Sequence, residues 1–184
     1  VATVRRRMDK PAAARETRRM EIVCQAEQQL PCPPGQAFAL ITDADRFPAF
    51  FRGCGPVPAV RAVELDAPPL AVGARRTVRN ADGSVLREVV TAFEPPRRHA
   101  YRLDGFRPPF AWLVRHGDAC WTVEPDAAGS RVRWSYRFAL AHAAAWPVAA
   151  PLLRLFMTAA MRRCLRAMAD AATPIAPARL EVRP

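Results

Sequence analysis

The sequence has almost no lysine: of 28 basic residues only Lys10 is one. With 19 prolines and abundant alanine, that bias points to a GC-rich bacterial genome more than to a selected arginine chemistry, so a single arginine carries little functional weight. Cysteine pairs are missing as well. Cys24, Cys32, Cys54, Cys120 and Cys164 are widely spaced and form no C-x-x-C, which argues against a disulfide framework and fits idle thiols in a reducing cytoplasm. His99, His116 and His142 stand at no zinc spacing with cysteine or carboxylate, so no metal and no cofactor are expected. There is no Ser/His/Asp pattern, no paired carboxylate site and no phosphate-binding glycine loop, which argues against hydrolase or nucleotide chemistry. No helix-turn-helix, zinc-finger or RNP-like pattern accompanies the net charge of +11, so no specific nucleic-acid partner is expected. The longest nearly uncharged run, Phe138 to Leu153, contains His142, Pro147 and Pro151 and is too short and broken for a membrane span. The N-terminal arginines precede no apolar stretch, so no secretory signal is read there.

What remains is a chain of 184 residues with 51% hydrophobic content, enough for one domain with a real core, plus tails. Val1 to Arg19 holds seven basic and two acidic residues, nearly half of the charge excess, and lacks apolar periodicity; it reads as a disordered basic tail. Met20 is a candidate start codon, and a partner-touching arm is the alternative reading of the tail. The folded domain is expected over 20–173, with a C-terminal tail over 174–184.

Ile22, Cys24 and Ala26 alternate with polar residues up to Leu30, a first strand that Pro31, Pro33 and Pro34 stop. Ala37, Phe38, Leu40 and Ile41 predict a short helix started by Pro34. Asp43 or Asp45 caps a second one through Phe47, Phe50 and Phe51. Val57 to Leu65 alternates as a strand, and Ala74 to Asn80 and Val85 to Glu94 flank an Asp82-Gly83 hairpin signal. Arg98 to Leu103 is a strand with Tyr101 and Leu103 on one side. Ala111 to Glu124 pairs with Arg131 to Leu140, whose Val132, Trp134, Tyr136, Phe138 and Leu140 all share one face. Last comes Trp146 to Ala172, where Leu153, Met157, Ala160, Cys164 and Met168 recur at helical spacing and Arg154, Thr158, Arg162 and Arg166 hold the other side. The apolar sheet face needs a cover, and this helix supplies it.

The order strand, two short helices, antiparallel strands and long helix resembles the helix-grip fold of the START, Bet v 1 and polyketide cyclase (SRPBCC) superfamily. The stretches P-P-G-Q-A-F-A-L-I-T-D, D-R-F-P-A-F-F, V-V-T-A-F-E-P-P-R-R-H-A-Y-R-L and G-S-R-V-R-W-S-Y-R-F look like its polyketide cyclase/dehydrase and lipid-transport branch, over about Glu21 to Ala172. The expected fold class is α+β, a curved antiparallel sheet wrapped around the C-terminal helix. The resemblance implies a hydrophobic cavity between them for a lipid, polyketide or quinone-like molecule. Some members are aromatases or cyclases, others carriers or ligand-binding regulators.

Candidate site residues follow from strand phase. Trp134, Tyr136 and Phe138 face inward on the last strand, and a buried tyrosine hydroxyl needs a partner, in protein, water or ligand. Tyr101 joins them as a ligand contact, and Met157 and Met161 do so from the helix. His116 is a candidate general acid whose alternative is a structural histidine; Tyr136 is the second catalytic candidate. Trp112, a further candidate ligand contact, shares a strand phase with His116, whereas Trp121 and Val123 have the other, so both sets face the cavity only if a bulge lies near Gly117. Arg76, on the phase of Val78, is a candidate anchor for a carboxylate or phosphate. A hydrophobic small molecule is thus the expected partner, cyclase-type catalysis the second reading. Contact with an anionic membrane surface through the basic tail and the Arg154, Arg162 and Arg166 stripe is the third.

Overall fold

The computed structural model describes residues 20–172; the tails expected at 1–19 and 174–184 lie outside the described residues. Seven strands form one antiparallel sheet: β1 Glu21–Leu30, β2 Val60–Leu65, β3 Arg75–Asn80, β4 Val85–Glu94, β5 Arg98–Asp104, β6 Val114–Asp126 and β7 Gly129–Leu140. Their spatial order is β1-β7-β6-β5-β4-β3-β2, so all neighbours except β1 and β7 are hairpin-connected. Helices α1 Pro34–Thr42 and α2 Phe47–Phe50 link β1 to β2. Asp43 Oδ1 accepts from the backbone N–H groups of Asp45 and Arg46 at 3.0 Å each, which fixes the turn leading into α2; the N-cap position of α2 is Arg46, so neither Asp43 nor Asp45 caps it as expected.

The sheet is one-sided. Along β7, Val132, Trp134, Tyr136, Phe138 and Leu140 are buried, while Arg131, Arg133 and Arg137 reach solvent and form ion pairs with Glu27, Asp126 and Glu21. Small residues on β1 stand beside the large ones: Cys24 is opposite Tyr136 and Ala26 opposite Trp134. That pairing leaves depth for the C-terminal helix, and the Cys24 thiol donates to the Leu153 carbonyl at 3.4 Å.

The helix runs as α3 Trp146–Leu152, a π-helical stretch Leu153–Met157, and α4 Thr158–Ala172. Pro151 interrupts the hydrogen-bond ladder just before the π turn, a known cause of local helix distortion. By length and composition the span Ala143–Ala172 is apolar enough to cross a membrane. Leu153, Met157, Ala160, Met161, Cys164, Leu165 and Met168 are instead buried within the protein, as a core helix requires.

Two strands begin later than their alternation predicts. Val57 belongs to a tight bridge with Cys54, whose N–H and C=O groups bond those of Val57 at 2.9 and 3.0 Å, and β2 starts only at Val60. Pro56 and Pro58 lack the N–H a ladder needs. Phe110–Trp112 forms a single 3-10 turn after Pro108 and Pro109, so β6 starts at Val114.

Candidate functional site

Between the sheet and the helix lies a cavity of about 300 Å³, at the lower end of the usual range for small-molecule sites. Trp134, Tyr136 and Phe138 of β7 and Tyr101 and Leu103 of β5 form its floor. Leu152, Leu153 and Met157 cover it from the helix, and Phe47 and Phe51 close one side from around α2. Phe106 and Phe110, packed edge to face with centroids 5.0 Å apart, line it from the β5–β6 loop. Charge on the wall is sparse: Asp82 and Arg107 are exposed, and Glu88 is buried.

Glu88 belongs to a polar cluster built by cross-strand register. Arg76 on β3 and Glu88 on β4 are direct partners, and Arg76 Nη2 lies 2.6 Å from Glu88 Oε2. The contact is close but poorly directed, since neither Glu88 Oε2 nor Arg76 Nε has an oriented hydrogen bond. Arg76 Nη2 also lies 3.2 Å from His99 Nε2, and its guanidinium sits 5.2 Å over the Tyr101 ring. A lone pair on His99 Nε2 accepts from the cation, which fixes the neutral tautomer with its proton on Nδ1. A water-sized hollow of about 10 Å³ lies behind Glu88, lined also by Asp43, Arg76 and Tyr101. One strand further, the Tyr101 and Tyr136 hydroxyls hydrogen-bond each other at 3.0 Å.

Burial sets the protonation of this cluster. It raises the Glu88 carboxyl above the ordinary carboxylate range, with Arg76 opposing the shift. It lowers His99 to about 3, a shift that the Arg76 charge reinforces. Both tyrosine hydroxyls are pushed up by desolvation and stay neutral at any physiological pH.

The structure brings Tyr101, Trp134, Tyr136, Phe138 and Met157 together on the cavity wall and places four other candidates elsewhere. Trp112 sits in the 3-10 turn and is 65% exposed, off the strand that would have aimed it inward. His116 lies on the outer face of β6, with Nε2 3.6 Å from Asp118 Oδ2. Unbroken alternation sets it there, because Gly117, Ala119, Trp121 and Val123 take the inward phase; a bulge, where Val114 pairs with Leu140 and His116 with Ala139, reverses the phase only upstream of His116. Val114 then points inward together with Gly117, Ala119, Trp121 and Val123. Met161 is fully buried but belongs to the core beyond the cavity wall. Arg76 is buried as its phase predicts, yet Glu88 stands between it and the cavity.

Glu88 and His99 are the residues that strand reading passed over. A signal existed for each, because Glu88 shares its face with Leu86 and Val90, and His99 with Tyr101 and Leu103. A carboxylate in phase with apolar neighbours is a candidate for burial with a partner.

The sequence profile of a family described as polyketide cyclase / dehydrase and lipid transport matches residues 21–173. No curated protein matches the sequence. Among solved structures, the chain is similar to the di-domain ARO/CYC StfQ from the steffimycin biosynthetic pathway, with TM-score 0.66 and 17% identity. That likeness covers 86% of this chain and 54% of the larger protein. It is also similar to truncated norcoclaurine synthase from Thalictrum flavum, with TM-score 0.65, 11% identity and coverage of 85% and 96%. Ara h 8.0201 gives TM-score 0.63, 14% identity and coverage of 83% and 97%. At such identities the likeness is one of fold.

Proposed function

The chain belongs to the polyketide cyclase / dehydrase and lipid-transport family, and on that premise we propose that it binds a hydrophobic or aromatic small molecule in the cavity between sheet and helix. The observation that carries this reading is the cavity itself, about 300 Å³ with aromatic walls and one buried polar end. Apolar burial supplies affinity at roughly 25 cal/mol per Å², and Glu88 with the two tyrosine hydroxyls orients the ligand. The candidate classes are lipid, polyketide and quinone-like molecules. The five cysteines are all unpaired thiols, which supports a cytoplasmic setting. Native mass spectrometry of gently purified protein tests the proposal: a co-purifying small molecule is expected, released on denaturation. A chain that carries nothing and takes up no apolar probe, such as the neutral naphthalene dye prodan, overturns it.

A cyclase-type reaction is the second reading, favoured by the buried Glu88 beside the Tyr101–Tyr136 pair. A carboxylate with a raised pKa is a competent base toward the acidic CH₂ between two carbonyls, and a tyrosine O–H is placed to hydrogen-bond the resulting enolate. Turnover of a poly-β-ketone thioester that Glu88→Gln abolishes while prodan binding persists supports this role. Turnover indifferent to that change removes it.

A further inference from the structure

Resting on the reading of the cavity as a binding site, we infer that its closed end selects an uncharged ring compound that donates a hydrogen bond, as a phenol or enol does, and discriminates against carboxylates. Of the charged groups on the wall, Glu88 alone is buried, and it presents an acceptor to the cavity. Arg76, the cation that would recognise an acid, lies behind it and is already engaged by Glu88 at 2.6 Å and by His99 at 3.2 Å. A carboxylate brought to this end meets the Glu88 oxygens with no free buried cation on the wall, among the described residues, to offset the repulsion. Arg107 does not reverse this, because it is exposed, with Asp82 of opposite sign close enough to feel its charge.

The neighbouring hydroxyls point the same way. Tyr101 and Tyr136 are bonded to each other, so their two protons serve one internal bond and leave one for a ligand or for Glu88. A ligand O–H donating to Glu88 while accepting from that remaining proton satisfies both of these groups. A fatty-acid headgroup or phosphate does not.

Three probes sharing one ring separate the possibilities: naphthalene, 2-naphthol and 2-naphthoate, titrated calorimetrically into the full chain at pH 7.5. The expected order is 2-naphthol tightest, naphthalene next and 2-naphthoate weakest, with at least tenfold between first and last. Equal or tighter binding of 2-naphthoate than of 2-naphthol overturns the inference and leaves the cavity reading standing, as does naphthalene matching 2-naphthol. No binding by any of the three overturns the cavity reading and this inference with it. In Glu88→Gln, the gap between 2-naphthol and 2-naphthoate is expected to narrow at least fivefold; an unchanged gap assigns the selectivity to another group and overturns the role of Glu88. Should that variant not fold, the ranking by the unaltered chain decides alone.

Discussion

Arg76 and Glu88 face each other across β3 and β4 with both side chains more than nine-tenths buried and 2.6 Å between Nη2 and Oε2. Two charges removed from water this completely stabilise the fold only as a pair. Arg76→Met, which leaves Glu88 buried without its cation, is expected to destabilise the protein by about 3–5 kcal/mol. The double variant Arg76→Met/Glu88→Leu should recover most of that loss. Urea denaturation of the single and double variants measures the coupling, and additive losses would show that the two residues act independently.

Stability should fall on acidification because of His99. Its folded value near 3 lies below the ordinary 6.5, so between those values the unfolded chain takes up a proton that the native state refuses. The contribution is complete above about pH 6.5 and is lost as pH drops toward 3, at up to about 1.4 kcal/mol per pH unit. Glu88, with its carboxyl raised, acts in the opposite sense and loses its contribution as pH rises through its folded value. Comparing melting temperatures of the unaltered chain and His99→Gln from pH 7.5 to 4.5 isolates the histidine. The variant should show the shallower acid slope, and parallel slopes would refute the assignment.

Gly117 keeps room for an aromatic ring. A Cβ placed there meets the Phe138 ring at 3.1 and 3.2 Å, and Phe138 lines the cavity. Gly117→Ala is expected to cost about 1–2 kcal/mol by overpacking and to weaken prodan binding several-fold as the ring shifts. Unchanged affinity would mean that Phe138 yields away from the cavity.

Trp134 should report ligand entry. It lines the cavity and stacks on Trp121 with centroids 4.0 Å apart, whereas Trp112 is 65% exposed on the surface. Energy transfer from tryptophan to prodan is expected to drop strongly in Trp134→Phe and little in Trp112→Phe. The reverse result would move the binding site to the outside of the β5–β6 loop.

How far the sequence could be read depended on whether the signal was local. The β7 alternation, the Asp82-Gly83 hairpin and the apolar face from Leu153 to Met168 lie within single elements, and each is found where periodicity places it. From those followed the inward set Trp134, Tyr136 and Phe138. The Arg76–Glu88–His99 cluster was harder, because its members sit on three strands and meet only through register. The phase of Arg76 with Val78 is legible in the sequence, but nothing local ties it to Glu88 or His99. His116 takes the outer phase because Trp121 and Val123 take the inner one, a choice between two faces that alternation within a single strand leaves open. Trp112 was misplaced by a strand boundary, where prolines convert extended chain into a turn.

The π turn at Leu153–Met157 gives the C-terminal helix a phase correction. A π turn accommodates one residue more than an α turn, and each residue advances the helix by roughly 100°. Ala149, Ala150 and Leu153 before it and Ala160, Cys164, Leu165 and Met168 after it are all buried in one core. Two helical segments are thereby indexed to the same sheet. Deleting a single residue inside the turn would rewind it to regular helix and carry the α4 face away from β1 like a screw stopped short of its slot.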